Sequence, residues 1–185
     1  MIDASGRSAI VLSRRQALRT GVVAACATLL GGTAGASHPS RRLDLYSVNT
    51  GESCTVEYMV RGRYYRDALL EVNQLMRDHR SGDIHPIDPT LLDLLHDLRR
   101  VLGSKQPAHI VCGYRSPTTN ARKLAAGRRV ARNSYHLRGQ AVDVFFPDRK
   151  VRDLRRAALR FGTGGVGHYP RAGFVHLDTG PVRSW

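Results

Sequence analysis

Two short apolar runs in the C-terminal half of the chain read as strands: Ala141-Val142-Asp143-Val144-Phe145-Phe146 and Phe174-Val175-His176-Leu177-Asp178. Each carries an ionisable side chain where a sheet would bury it, and an uncompensated imidazole is costly to bury. The fold must therefore supply partners for Asp143 and His176. Immediately upstream, Ser134-Tyr135-His136-Leu137-Arg138-Gly139 leads into the first run, and Gly139 permits a tight bend that turns His136 towards Asp143. Two imidazoles and one carboxylate would leave a tetrahedral ion one open position, the layout of catalytic rather than structural zinc. A His and an Asp seven residues apart also occur by chance, so spacing alone leaves a metal site and an accidental spacing as alternatives. The chain has eight His residues. His79, His85 and His96 fall on or beside expected helices, and His109 begins a strand, so these have ordinary structural readings.

The rest of the pattern gives an α+β domain. Leu43 to Val48 alternates apolar and polar residues, Asn49-Thr50-Gly51-Glu52 supplies a turn, and Cys54 to Val60 alternates again, which predicts an N-terminal β-hairpin. Leu69, Leu70, Val72, Leu75 and Met76 recur at helical spacing over 67–79. Asp88-Pro89 opens a second helix that carries Leu91 to Leu102 and stops at Gly103. Ala108 to Cys112 reads as a buried strand, Gly113 to Pro117 as a turn, Thr118 to Ala126 as a short helix, and 151–161 as an amphipathic Arg-rich helix. Gly164 to Tyr169 reads as a flexible loop. Helices grouped early and strands late predict a small, mainly antiparallel sheet that carries the site and is flanked by helices.

Residues 1–36 read as an address. Arg14-Arg15, the uncharged run Gly21 to Gly32 and the small-x-small site Ala34-Gly35-Ala36 form the three parts of a secretory signal. The arginine pair resembles a twin-arginine signal, although Ala17 stands where that signal usually carries Phe. About twelve apolar or small residues are too few to span ~30 Å of hydrocarbon, so no membrane span is expected after cleavage. Val23-Ala24-Ala25-Cys26 resembles a lipoprotein box, but most of the apolar run follows Cys26, which favours cleavage after Ala36.

Charge enters here, because it belongs to the domain rather than to the signal. The whole chain has a formal net charge of +14, and residues 37–185 keep 25 basic and 14 acidic groups, a net +11. Only Lys105, Lys123 and Lys150 are lysines, so the charge is almost all guanidinium, suited to carboxylate and phosphate. Nucleic acid, anionic lipid and anionic wall polymer all fit that charge, and an exported chain favours the last. Two cysteines remain in this region, Cys54 and Cys112, compatible with one disulfide or with two buried thiols.

Three separated motifs then bear on identity: Gly113-Tyr114-Arg115-Ser116, Ser134-x-His136-x-x-Gly139-x-Ala141-x-Asp143, and Phe174-Val175-His176-Leu177-Asp178 with the ending Asp178 to Trp185. Together they resemble the zinc peptidases that include D-Ala-D-Ala carboxypeptidases and peptidoglycan endopeptidases and share a fold with the hedgehog signalling domain. More narrowly, nearly all of 43–185 is similar to the murein endopeptidase K family. The resemblance implies zinc held by His136, Asp143 and His176, and cleavage of peptide cross-links in the bacterial wall.

Such chemistry needs a general base and an electrophilic partner for the scissile carbonyl. Many relatives carry Glu or His three positions before the last ligand, where this chain has Gly173. Asp178, on the same strand face as His176, is the first candidate for the base, with orientation of a ligand as its alternative role. His168, in the expected loop, is the second. Arg115 is expected to face the developing oxyanion or to anchor a substrate carboxylate, with Tyr114 and Ser134 as further substrate contacts. Arg152, Arg155, Arg156 and Arg160 form a solvated face that can also hold the protein near the wall. The expected partner is the peptidoglycan stem, with no nucleic acid. The competing readings are a D-alanyl-D-alanine carboxypeptidase, a non-catalytic wall-binding module that keeps the metal site, and a basic nucleic-acid binder. No feature of the sequence speaks to oligomeric state.

Overall fold

The computed structural model describes residues 40–185 apart from residue 129. The signal assigned to residues 1–36, with its alternative at Cys26, lies outside the described residues. The chain runs β1 (Arg41–Ser47), β2 (Ser53–Val60), β3 (Arg63–Tyr64), α1 (Arg66–Leu75), α2 (Pro89–Leu102), β4 (Ala108–Cys112), α3 (Pro117–Ala125), a 3-10 turn (Tyr135–Arg138), β5 (Ala141–Phe145), α4 (Val151–Phe161), β6 (Gly165–Tyr169), β7 (Phe174–Asp178) and β8 (Arg183–Ser184). This is the expected α+β class. The strands form one sheet in the order β3-β2-β1-β4-β5-β7-β6-β8. All pairings are antiparallel except β1 with β4 and β6 with β8.

The hairpin forms in the expected place, with Leu45 opposite Cys54. Its turn closes through Ser47 N to Glu52 O at 2.8 Å and Gly51 N to Ser47 O at 2.9 Å. In α2 the Asp88 carboxylate accepts the Thr90 amide at 2.9 Å, Pro89 fills the first turn, and Gly103 ends the helix in the left-handed region. Helix α1 stops at Leu75, short of residue 79. Asp78 is drawn off instead to accept Ser116 N, Ser116 Oγ and Arg80 N at 2.7–2.9 Å, which ties this loop to the start of α3. None of the described helices is long and apolar enough to cross a membrane.

Alternation divides the sheet into two faces. Leu43, Leu45, Ala108, Ile110, Val142, Val144, Val175, Leu177 and Val166 form one face, and all are buried with Leu91, Leu92, Leu95, Leu98 and Leu154 of α2 and α4. The opposite face carries His109, between Tyr46 and Phe145, and then Asp143 and His176.

The expected flexible loop over Gly164 to Tyr169 is instead strand β6, paired on both sides. Its glycines serve close approach rather than flexibility. A Cβ on Gly165 would lie 2.5 Å from Asp178 Oδ2, and one on Gly167 would lie 2.7 Å from the Trp185 ring. Among the described residues Cys54 and Cys112 form no disulfide. Strand β1 lies between their strands, so a bridge would have to span two inter-strand spacings, roughly 9–10 Å, beyond disulfide reach.

Candidate active site

His136 sits in the 3-10 turn ahead of β5, and the bend expected at Gly139 is present, with φ 65°. No other residue fits there, because a Cβ would lie 2.0 Å from the Pro86 carbonyl oxygen. The turn carries His136 over the sheet, where antiparallel pairing sets Asp143 of β5 directly opposite His176 of β7. The three residues are 2–8% exposed. Asp143 Oδ1 lies 2.9 Å from His176 Nδ1 and 3.3 Å from His136 Nε2, and those two nitrogens are 3.2 Å apart.

The outer contacts assign the protons. His136 Nδ1 is 2.7 Å from the Gly113 carbonyl, which can only accept, so that nitrogen carries the hydrogen. His176 Nε2 lies 3.0 Å from Asp178 Oδ2 and donates to it. Both remaining nitrogens turn their lone pairs towards Asp143 Oδ1. Three acceptors converging on one point repel one another unless a cation sits among them. A proton on His136 Nε2 can play that part as well as a metal ion: burial opposes charge on His136, yet Cys112 and Asp143 outweigh burial and push its pKa up to about 10. Asp143 is held well below the usual carboxylate range, also against burial, by His136 and His176. A tetrahedral zinc with bonds of about 2.0–2.1 Å has ligand edges of about 3.3 Å, close to the observed triangle. The donor set fits a zinc ion by type, by charge and by separation.

Sequence reasoning missed Cys112 as a neighbour of this site. Its sulfur and the donor atoms of His136 and Asp143 all lie within 4.8 Å of one another. The available signal was its place directly before Gly113-Tyr114-Arg115. The triangle closed by His176 is tighter and better matches a single ion.

A cleft of about 570 Å³ opens over the three donors, bordered by Arg115, Ser134, Tyr135, Tyr169, Arg183 and Trp185. Arg115 is 7% exposed and, among the described residues, has no carboxylate partner. Its side-chain contacts are Asn120 Oδ1 at 3.4 Å and Cys112 Sγ at 3.6 Å, and its Nε has no hydrogen-bond partner among the described residues. Ser134 lines the cleft as expected, but Tyr114 does not. Gly113 packs on Met76 and the Tyr114 amide donates to the Met76 carbonyl, and the buried Tyr114 ring lies away from the cleft, stacked on His85 at 4.7 Å.

The two residues expected as general base are also placed elsewhere. Asp178 has 0% exposure and stands behind His176, on the nitrogen away from Asp143. Its oxygens are taken by Gly165 N, Gly180 N, His176 and a two-pronged Arg183 at 3.0 and 2.6 Å. Its place is that of a ligand-orienting partner, the alternative role. His168 pairs with Val175, on the apolar face, and it is Gly167 that stands opposite His176. The side chain of His168 therefore points through the sheet away from the cleft. Arg183 also spans the Tyr135 and Trp185 rings, at 5.1 Å from each centroid, so the C-terminal segment builds one wall of the site.

Comparison with known proteins agrees with this geometry. The family described as Peptidoglycan L,D-endopeptidase MepK matches residues 35–185. The chain is 41% identical over 176 residues to the Peptidoglycan L,D-endopeptidase MepK of Escherichia coli strain K12, covering 94% of this chain and 97% of that one. It is equally similar to the Shigella flexneri protein of the same name. The probable peptidoglycan L,D-endopeptidase MepK of Haemophilus influenzae is 36% identical over 146 residues, 78% of each chain. On a family match across nearly the whole described domain, and on relatives of this identity and coverage, the chain belongs to the Peptidoglycan L,D-endopeptidase MepK family.

Proposed function

We propose that this protein is an exported zinc metallopeptidase that hydrolyses peptide cross-links of bacterial peptidoglycan. The observation that carries the reading is the convergence of His136 Nε2, Asp143 Oδ1 and His176 Nδ1 beside the unpaired Arg115, in a chain whose relatives are named as endopeptidases of this polymer. Those names also favour an L,D bond as the one cut. Residues 1–36 act as a twin-arginine signal removed after Ala36, which delivers the domain 37–185 to the periplasm, where the polymer lies.

In this scheme His136, Asp143 and His176 hold the zinc. The chemistry zinc supplies when bound is polarisation of a carbonyl and acidification of water. The Gly113 carbonyl and the Asp178 carboxylate fix the two imidazoles in the tautomers that present a lone pair to the ion. Arg115 faces the scissile carbonyl oxygen and stabilises the negative charge that grows there as the amide is attacked. Its lack of an acidic partner leaves that charge available to substrate. Ser134, at the mouth of the turn that bears His136, contacts the bound peptide.

Purified peptidoglycan digested with and without chelator, and analysed by mass spectrometry, tests this reading. Conversion of cross-linked dimers to monomers, abolished by chelator, is the expected result. Loss of a terminal residue from monomers would indicate a carboxypeptidase instead. No turnover by a protein that still binds sacculi would indicate a wall-binding module.

A further inference from the structure

Past the metal donors the cleft continues into a second hollow of about 660 Å³ against α3. Arg115, Asp143 and Tyr169 border both spaces, so a peptide lying across the three donors enters each of them. The two walls differ in chemistry. The first space has aromatic rings and a neutralised Arg183. Among the described residues the second is bordered by five cations, Arg80, Arg115, Arg122, Lys123 and Arg128, and by one carboxylate, the candidate metal donor Asp143.

Among the described residues none of those five cations forms an ion pair, whereas Arg41, Arg77, Arg99 and Arg183 each have a carboxylate. The last turn of α3 accounts for part of this, since cations near a helix C-terminus are favourable. It does not account for Arg80 or Arg115, which arrive from other segments, whereas Arg128 follows just past the helix end, its amide donating to the Lys123 carbonyl. Mutual repulsion is felt there: burial, then Arg115 and Arg80, push the Lys123 pKa down. Like charges gathered around a hollow are costly until an anion enters it.

We propose that this hollow is a carboxylate-binding subsite that holds a free carboxylate of the stem peptide on one side of the scissile bond. The proposal rests on the endopeptidase reading and adds which chemical group of the substrate is recognised, and by which residues. Arg122 and Lys123 are the specificity-determining pair, because they border this space and not the catalytic one. Guanidinium forks and an ammonium suit a carboxylate, and a carboxamide in the same place would leave them unpaired.

The test uses soluble cross-linked muropeptides, native and with their free carboxylates converted to amides by carbodiimide and ammonia. For the wild type, amidation is expected to raise KM about tenfold or more with kcat changed less than about twofold, the loss of one charge-assisted contact. Arg122→Glu/Lys123→Glu, and the milder Arg122→Gln/Lys123→Gln, should raise KM for native muropeptide similarly and respond little to amidation. Arg63→Glu/Arg66→Glu, which changes the net charge equally at the far edge of the sheet, should leave KM unchanged. Equal effects from that distant pair, or amidation and α3 effects that simply multiply, would overturn the subsite. If the wild type cleaves neither substrate, the endopeptidase reading fails by itself. Calorimetric binding of the two muropeptides then decides the subsite, tighter binding of the native form supporting it and equal binding sinking it.

Discussion

Asp178 Oδ2 sits 3.0 Å from Nε2 of His176, and this contact decides which nitrogen of the imidazole faces Asp143. The carboxylate can only accept, so it keeps the proton on Nε2 and leaves Nδ1 as a donor of electrons. Asp178→Asn preserves the shape but removes the charge, and its amide can flip to present the wrong group. The variant should bind zinc about 10–100-fold more weakly, measured by competition with a chromogenic chelator. Unchanged affinity with unchanged turnover would mean that His176 holds its orientation through packing alone.

Arg115 lies next to the donors without a carboxylate partner, so its loss should cost catalysis rather than folding. Arg115→Ala is expected to lower kcat by about 10²–10³-fold, the range for removing one donor to a developing oxyanion. Melting temperature should stay within a few degrees of wild type. A large drop in Tm with proportionate loss of activity would instead assign the side chain to the Asn120 and Cys112 contacts.

Gly139 has φ 65° and a Cβ position 2.0 Å from the Pro86 carbonyl oxygen. Gly139→Ala must either move the Pro86 segment or abandon the bend. It should cost about 2 kcal/mol or more by urea denaturation, the sum of left-handed strain and a backbone clash. Because the bend carries His136, zinc binding should weaken in the molecules that still fold.

Asp78 tests the loop that follows α1. Burial would raise its pKa, but hydrogen bonds from Ser116 and the Arg80 amide outweigh burial and hold it well below the usual carboxylate range. A depressed folded pKa means that this stabilisation is present at neutral pH and persists down to about pH 4, where the unfolded carboxyl takes its proton. It is lost progressively as pH falls further towards the folded pKa. Asp78→Asn should therefore be less stable than wild type at pH 7, and the gap should narrow at pH 3. A gap independent of pH would show that Asp78 acts through shape and not through charge.

Periodicity was enough to find the hairpin, α2, and the strands β4, β5 and β7, because each has a buried face that leaves its period in the residues. Asp143 and His176 stand out as polar groups inside apolar runs, whereas His136 is marked by its spacing to Asp143 across Gly139 and by the family resemblance of its motif. Where β6 forms, Gly165 and Gly167 imitate a flexible loop in the sequence, although they admit the Asp178 carboxylate and the Trp185 ring at close range. Tyr114 and Arg115 are adjacent in a tight turn, and nothing local says which of them enters the cleft. Docking on Met76 decides it.

By itself the sequence determined the hairpin, α2, the strands β4, β5 and β7 and the bend at Gly139, and it offered His136, Asp143 and His176 as candidate donors, because backbone preference and the cost of burying charge are local properties. Tertiary structure alone decided the roles around those donors. Strand register set Gly167 rather than His168 opposite His176, packing closed Asp178 off behind the ring, and the approach of separate segments gathered Cys112 and the unpaired cations beside the site. Those are relations between residues distant along the chain, and only the pairing of strands brings them within reach of one another.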